Sequence, residues 1–168
     1  MKKSLFVIID KNDFQQTGST KEIMNTSSLA KKWESFDWNV SEVYGHNIED
    51  LINQIKYYIE RYRITGLQFY DLTAILKKDW VIDFCKALRD NNINLEWSLP
   101  TGTRSEALDY DVIKALASAK LTYLVYAPES GHKKTLELIK KKIKISEVEK
   151  SIRFAVKEGI VTRANLII

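Results

Sequence analysis

From Gly66 onward the apolar positions switch repeatedly between two spacings. Short runs with period-2 or continuous apolar character read as strands: GLQFY at 66–70, LEWSL at 95–99, LTYLVYA at 121–127 and the closing stretch 160–168. Between them, apolar residues recur at helical spacing. Trp80, Val81, Phe84, Ala87 and Leu88 mark a helix over 78–91. Val112, Ile113, Leu116 and Ala117 mark one over 108–119, with Asp109 as its N-cap. Two more helices are predicted over 135–141 and 146–158. Ser146 and Glu149 fit a capping box, and Gly159 is a helix stop. Upstream, Asn47 can cap a helix running to Arg63, with Leu51, Ile52, Ile55, Tyr58 and Ile59 as its apolar stripe.

Strands alternating with helices imply βαβ units and parallel pairing. Each unit has the length, on the order of 30 residues, of a (β/α) barrel unit. The fold class expected is α/β, as a partial (β/α) barrel of TIM-barrel-like type. Four such strands follow residue 64, and SLFVIID near the start is a candidate fifth. A complete eight-unit barrel needs about 250 residues, so 168 residues leave a partial barrel, a small open sheet or a fragment. The sequence stays apolar to its end in RANLII. That pattern is read as truncation at the C-terminal strand, the alternative being a native terminal strand tied into the sheet.

Residues 10–46 break the pattern. KNDFQQTGSTKEIMNTSS is polar and reads as a long loop, followed by Trp33, Phe36 and Trp38. Those aromatics argue against full disorder. The division expected is therefore 1–46, a first strand plus a long atypical loop, and 47–168, the partial barrel.

Composition narrows the function classes. A net charge of +4 is too small to argue for nucleic acid, and none is expected as a partner. The single cysteine excludes an internal disulfide framework and a Cys-rich metal or iron–sulfur site built by one chain, and it suggests a reducing, cytoplasmic setting. LFVII is too short for a signal peptide, and no apolar run approaches the roughly 20 residues of a membrane span. There is no G-x-G-x-x-G after a strand, no P-loop and no G-x-S-x-G elbow. His46 and His132 do not fall in metal-ligand spacing, so no metal site is expected.

The candidate chemistry sits where predicted strands run out. FYDLT at 69–73 carries Asp71 and Thr73. LPTGTRSEALD at 99–109 carries Thr103 and Arg104 after a donor-rich turn. YAPESGH at 126–132 carries Glu129 and Ser130. In a parallel βα sheet all carboxyl ends share one rim, and ligands bind there, so the three tips describe a single small-molecule site. Each residue also has a plainer reading. Asp71 can be a turn or capping aspartate, and Arg104 a surface arginine paired with Glu106. Glu129 is either open at the rim or paired. Lys133, Lys134, Lys140, Lys141, Lys142 and Lys144 read as a solvated basic face, and Cys85 as a small core residue.

At these tips the chain resembles the radical SAM superfamily, and more closely the branch whose members carry a cobalamin (B12)-binding domain. The likeness runs from about Asn47 to Ile168. It rests on FYDLT, Trp80 with FCKAL, LPTGTRSEALD, YAPESG, the LIKKK run and ANLII. The resemblance implies a partial barrel with S-adenosylmethionine across its carboxyl rim. It implies Asp71 near the methionine amino group, Arg104 near its carboxylate, Glu129 and Ser130 near the ribose and methionyl end, and Asn165 near the adenine. It also implies a [4Fe–4S] cluster that supplies the electron cleaving the cofactor, and cobalamin in a full-length member. The departure is large: the C-x-x-x-C-x-x-C motif belongs in the loop at about Asp10–Trp38, which contains no cysteine. His132 also replaces the serine common after PESG. No catalytic residue is assigned. Three readings stay open: a piece or rearranged copy of a radical SAM enzyme, a cluster-less SAM- or nucleotide-binding module, and a half-barrel scaffold completed by a partner chain or a missing C-terminal segment.

Overall fold

The computed structural model describes residues 13–15, 18–42, 44–69, 77–103 and 108–167. The chain separates into two compact units, Met1–Val43 and Tyr44–Ile168.

In the first unit, β1 (Phe14–Gln15) and β2 (Gly18–Ser19) form a short antiparallel hairpin. Helix α1 (Thr20–Ile23) follows, with the Ser19 hydroxyl accepting from Lys21 N at 3.1 Å. Helix α2 (Leu29–Glu34) brings Trp33 edge-on to Trp38, with ring centroids 5.0 Å apart. The segment expected as a long loop thus contains two short helices and a hairpin. Elements this short have too little apolar periodicity to read from sequence.

The second unit is α/β. Helix α3 (Ile48–Tyr62) starts where Asn47 Oδ1 accepts from Glu49 N and Asp50 N, and it ends at Arg63 in the left-handed conformation. Then come β3 (Gly66–Gln68), α4 (Lys78–Asp90), β4 (Glu96–Thr103), α5 (Tyr110–Ser118), β5 (Leu121–Glu129), α6 (Lys133–Leu138), α7 (Ile145–Lys157) and β6 (Val161–Leu166). The strands form one parallel sheet in the order β3-β4-β5-β6. Because consecutive strands are neighbours and parallel, every crossover must climb back over the sheet, and each contains a helix.

The helices bury one stripe each against one side of the sheet. Ile52 and Ile55 of α3, Val81, Phe84, Cys85 and Leu88 of α4, Val112, Ile113 and Leu116 of α5, and Val148 and Ala155 of α7 share a core with Trp97, Leu99, Leu124 and Tyr126. Aromatic rings fill the β3–β4 end. Trp80 stacks on Phe84 at 5.3 Å, and Phe69 and Trp97 meet edge to face at 5.6 Å. The Trp97 indole N–H donates to Ala119 O at 2.8 Å, which satisfies its polar atom in the interior.

Two expectations are corrected. Pro100-Thr101-Gly102 is not a turn: β4 runs through it to Thr103. The proline fits because the ladder to β5 shifts register between Leu99 and Thr103, so no regular hydrogen bond is demanded of it. The Ser146–Glu149 capping box is also absent, since α7 begins one residue earlier with Lys144 as an N-cap that makes no side-chain cap bond. By contrast, Asp109 Oδ1 does cap α5, accepting from Val112 N at 3.0 Å, and Gly159 stops α7 with φ +81°.

Candidate functional site

The carboxyl ends of β4, β5 and β6 all point to one side of the sheet, because the strands are parallel. Strand β5 ends in an unusual conformation. Glu129 takes φ +64°, and Ser130 N donates to Pro128 O at 2.8 Å, closing a three-residue turn of the γ type centred on Glu129. A positive φ is costly for a residue with a Cβ and recurs where side chains are aimed at ligands. The turn is fixed from both sides. Ile167 N donates to Glu129 O at 2.8 Å, and Lys141 Nζ stands 3.3 Å from Glu129 Oε1. Glu129 is therefore paired, and Lys141 stands apart from the other lysines of its run, which are exposed. Beyond the turn, Ser130 Oγ accepts from His132 N at 3.1 Å, and the His132 ring meets Thr135 Oγ1 at 3.4 Å.

Asn165 is half-buried on β6, next to Leu166, the register partner of Glu129. Glu129, Ser130 and Asn165 are thus brought to one end of adjacent strands. Thr103 is set back. It pairs with Tyr126, three residues before Glu129, a retreat of about 10 Å along the strand. Thr103 is buried, and its hydroxyl turns back to Thr101 O at 3.4 Å. Asp71, Thr73 and Arg104 lie outside the described residues.

Sequence reasoning missed Thr101 and Gly102. Among the described residues, the buried Thr101 hydroxyl has no hydrogen-bond partner. A Cβ on Gly102 would stand 2.3 Å from that of Ala127, so glycine there lets the ends of β4 and β5 approach. A groove of about 710 Å³ borders the same end, between Pro128, Ser130, Gly131 and Leu166 on one side and Ile152, Val156 and Lys157 of α7 on the other. It reaches Ser130 but not Thr103, Glu129 or Asn165.

The thiol chemistry is clear. Cys85 is fully buried on α4, and burial pushes its thiol up to about 12, which keeps it protonated and unreactive. A [4Fe–4S] cluster needs several thiolates, and the chain has one cysteine, held in the core, so its residues do not fit that group. Among the described residues, no cluster of three or more His, Cys, Asp or Glu could hold a metal ion, and no helix is long and apolar enough to cross a membrane.

Comparison with known proteins gives two unlike results. No protein-family model matches the chain. In fold, the chain is similar to a cobalamin-dependent S-adenosylmethionine radical enzyme, OxsB, solved with aqua-cobalamin bound. The TM-score is 0.60 and the identity 15%, over 72% of this chain and 19% of that one. That likeness is one of fold alone. In sequence, 53 residues are 38% identical to an apulose-4-phosphate transketolase subunit of Phocaeicola vulgatus, and 53 are 40% identical to its namesake in Actinobacillus succinogenes. A 6-deoxy-6-sulfo-D-fructose transketolase subunit of a Clostridium species is 33% identical over 52 residues. The chain spans about a fifth of the length of the curated relatives it matches, 19% in each case.

Proposed function

We propose that the second unit is a partial radical SAM-type (β/α) barrel with a pocket for S-adenosylmethionine or a related nucleoside at its carboxyl rim. Asp71, Thr73, Arg104, Glu129, Ser130 and Asn165 would form its walls, with Thr103 buried behind them. The observation that carries this reading is the strained turn at Glu129. A left-handed glutamate at the end of a parallel strand carries a backbone cost, and Lys141 and Ile167 hold it there; strained residues held in this way recur at ligand sites. The unsatisfied Thr101 hydroxyl and the close approach at Gly102 support it, since both lie in the β4 segment leading to the same rim. The fold likeness to a radical SAM enzyme agrees.

The chemistry proposed stops at binding. The family's reductive cleavage of the cofactor needs a cluster that these residues do not fit, and cobalamin belongs to a domain of full-length members. The chain by itself is then a cluster-less binding module. Titration calorimetry with S-adenosylmethionine on the whole chain tests this. Saturable heat, lost in Glu129→Gln while the melting temperature is kept, is the expected result, and no heat at millimolar ligand would end the reading.

A further inference from the structure

The positive charge of the chain is gathered in one place. Residues 133–144, KKTLELIKKKIK, hold six lysines against one glutamate, a net charge of +5, while the whole chain carries +4. The remaining residues are therefore close to neutral. The stretch makes up α6 and the connection to α7. Lys141 turns inward to Glu129, and the other lysines are exposed.

An apolar corner is set among those lysines. Leu138 is 82% exposed, the highest value for a large hydrophobic side chain among the described residues, and Ile139 beside it is 44% exposed. Local hydrogen bonds fix the corner. Lys141 N donates to Leu136 O at 2.9 Å and Lys140 N to Glu137 O at 3.1 Å, the paired bonds of a Schellman motif, and buried Leu136 anchors the turn from inside. Lys140 takes the left-handed position of that motif with φ +55°, where glycine is the usual residue. The chain thus accepts backbone strain and keeps a cation two residues from Leu138.

We propose that this α6 corner docks the chain onto an anionic lipid surface. Leu138 and Ile139 would enter the boundary of the acyl chains, and the lysines around them would meet the charged headgroups. The proposal does not depend on the cofactor reading. Charge complementarity carries it. Lysines beside exposed apolar side chains gain both from the negative potential of an anionic bilayer and from removal of apolar surface from water. Composition argues against nucleic acid at the same surface. Single strands are held by stacking on aromatic rings and by arginine, and residues 133–144 contain neither. An acidic peptide would engage the lysines and leave Leu138 in water. The association is peripheral, since no helix among the described residues is long and apolar enough to cross a membrane.

Co-sedimentation of the intact chain with vesicles tests the proposal. Binding is expected to phosphatidylcholine vesicles containing about 30% phosphatidylserine, and at least about tenfold weaker binding to phosphatidylcholine alone. Added salt should weaken the former by screening. Lys134→Glu with Lys142→Glu is expected to weaken binding at least about tenfold. Leu138→Ser, which leaves the charge unchanged, should weaken it by about threefold or more. All three positions are exposed, so the melting temperature should hold. The control is Lys114→Glu with Lys120→Glu, the same change in charge at exposed positions on and just after α5. It should leave binding unchanged. No binding to the anionic vesicles overturns the proposal. So does an equal loss in the control pair, which would make net charge the sole cause. Indifference to Leu138→Ser, or displacement of the vesicles by polyglutamate or an oligoribonucleotide that binds more tightly, overturns it as well.

Discussion

Gly102 of β4 lies so close to Ala127 of β5 that a Cβ on residue 102 would stand 2.3 Å from the alanine's. Nothing in the contact is the far end of a flexible side chain, so a larger residue can be accommodated only by parting the strands. Gly102→Ala is therefore expected to destabilise the chain by about 1–3 kcal/mol, the usual cost of overpacking. Denaturant unfolding would measure it. The double variant with Ala127→Gly should recover part of the loss, because the two atoms in conflict are then one.

A buried relay is expected to be more costly to cut at its centre than at its end. Ser151 Oγ donates to Leu108 O at 2.8 Å, so its own oxygen is left to accept from the Tyr126 hydroxyl 3.0 Å away. Ser151→Ala strands both partners, and a loss of about 1–3 kcal/mol is expected for buried groups left unpaired. Tyr126→Phe removes the outer donor and leaves Ser151 bonded to Leu108, so its cost should be nearer 1 kcal/mol.

Alkali should unfold the chain in two stages. Burial raises the Cys85 thiol from 9.0 to about 12 and the Tyr126 hydroxyl from 10.0 to about 12. Between pH 9 and 12 the native state keeps protons that the unfolded state has released, so stability falls as pH rises. The fall begins near pH 9 with Cys85 and steepens above 10 as Tyr126 joins it. In Cys85→Ala the first stage should be missing, and melting temperatures taken from pH 8 to 11 would reveal its absence.

Glu129 offers a test in which stability and binding move oppositely. Its φ of +64° costs a residue with a Cβ about 1–2 kcal/mol, and glycine avoids that cost. The lost Lys141 ion pair is partly exposed and worth at most about 1 kcal/mol. Glu129→Gly is thus expected to keep or raise the melting temperature while abolishing nucleoside binding. A clear loss of stability would show that the strained turn is held for the fold and not for a ligand.

Asn47, Asp109 and Gly159 were legible from sequence because capping and stopping a helix are local acts, decided by one side chain or one missing Cβ. The core stripes of α3, α4, α5 and α7 were legible for a similar reason, since their period follows from helix geometry. The misread start of α7 and the strand through Pro100 and Gly102 have a different origin. Ile145 borders the groove and is taken into the helix ahead of Ser146. A register shift against β5 lets proline remain in β4. Neither neighbour is visible along the chain.

The same division holds for the candidate site. The amino-acid sequence determined that Glu129 and Ser130 would lie near a strand end, because alternating strands and helices compel parallel pairing. Only the tertiary structure decided that Glu129 would be bent into a left-handed turn beside Lys141 and that Thr103 would be buried about 10 Å behind it. Those outcomes depend on strand register and on contacts between residues distant in sequence, which periodicity along one segment does not encode.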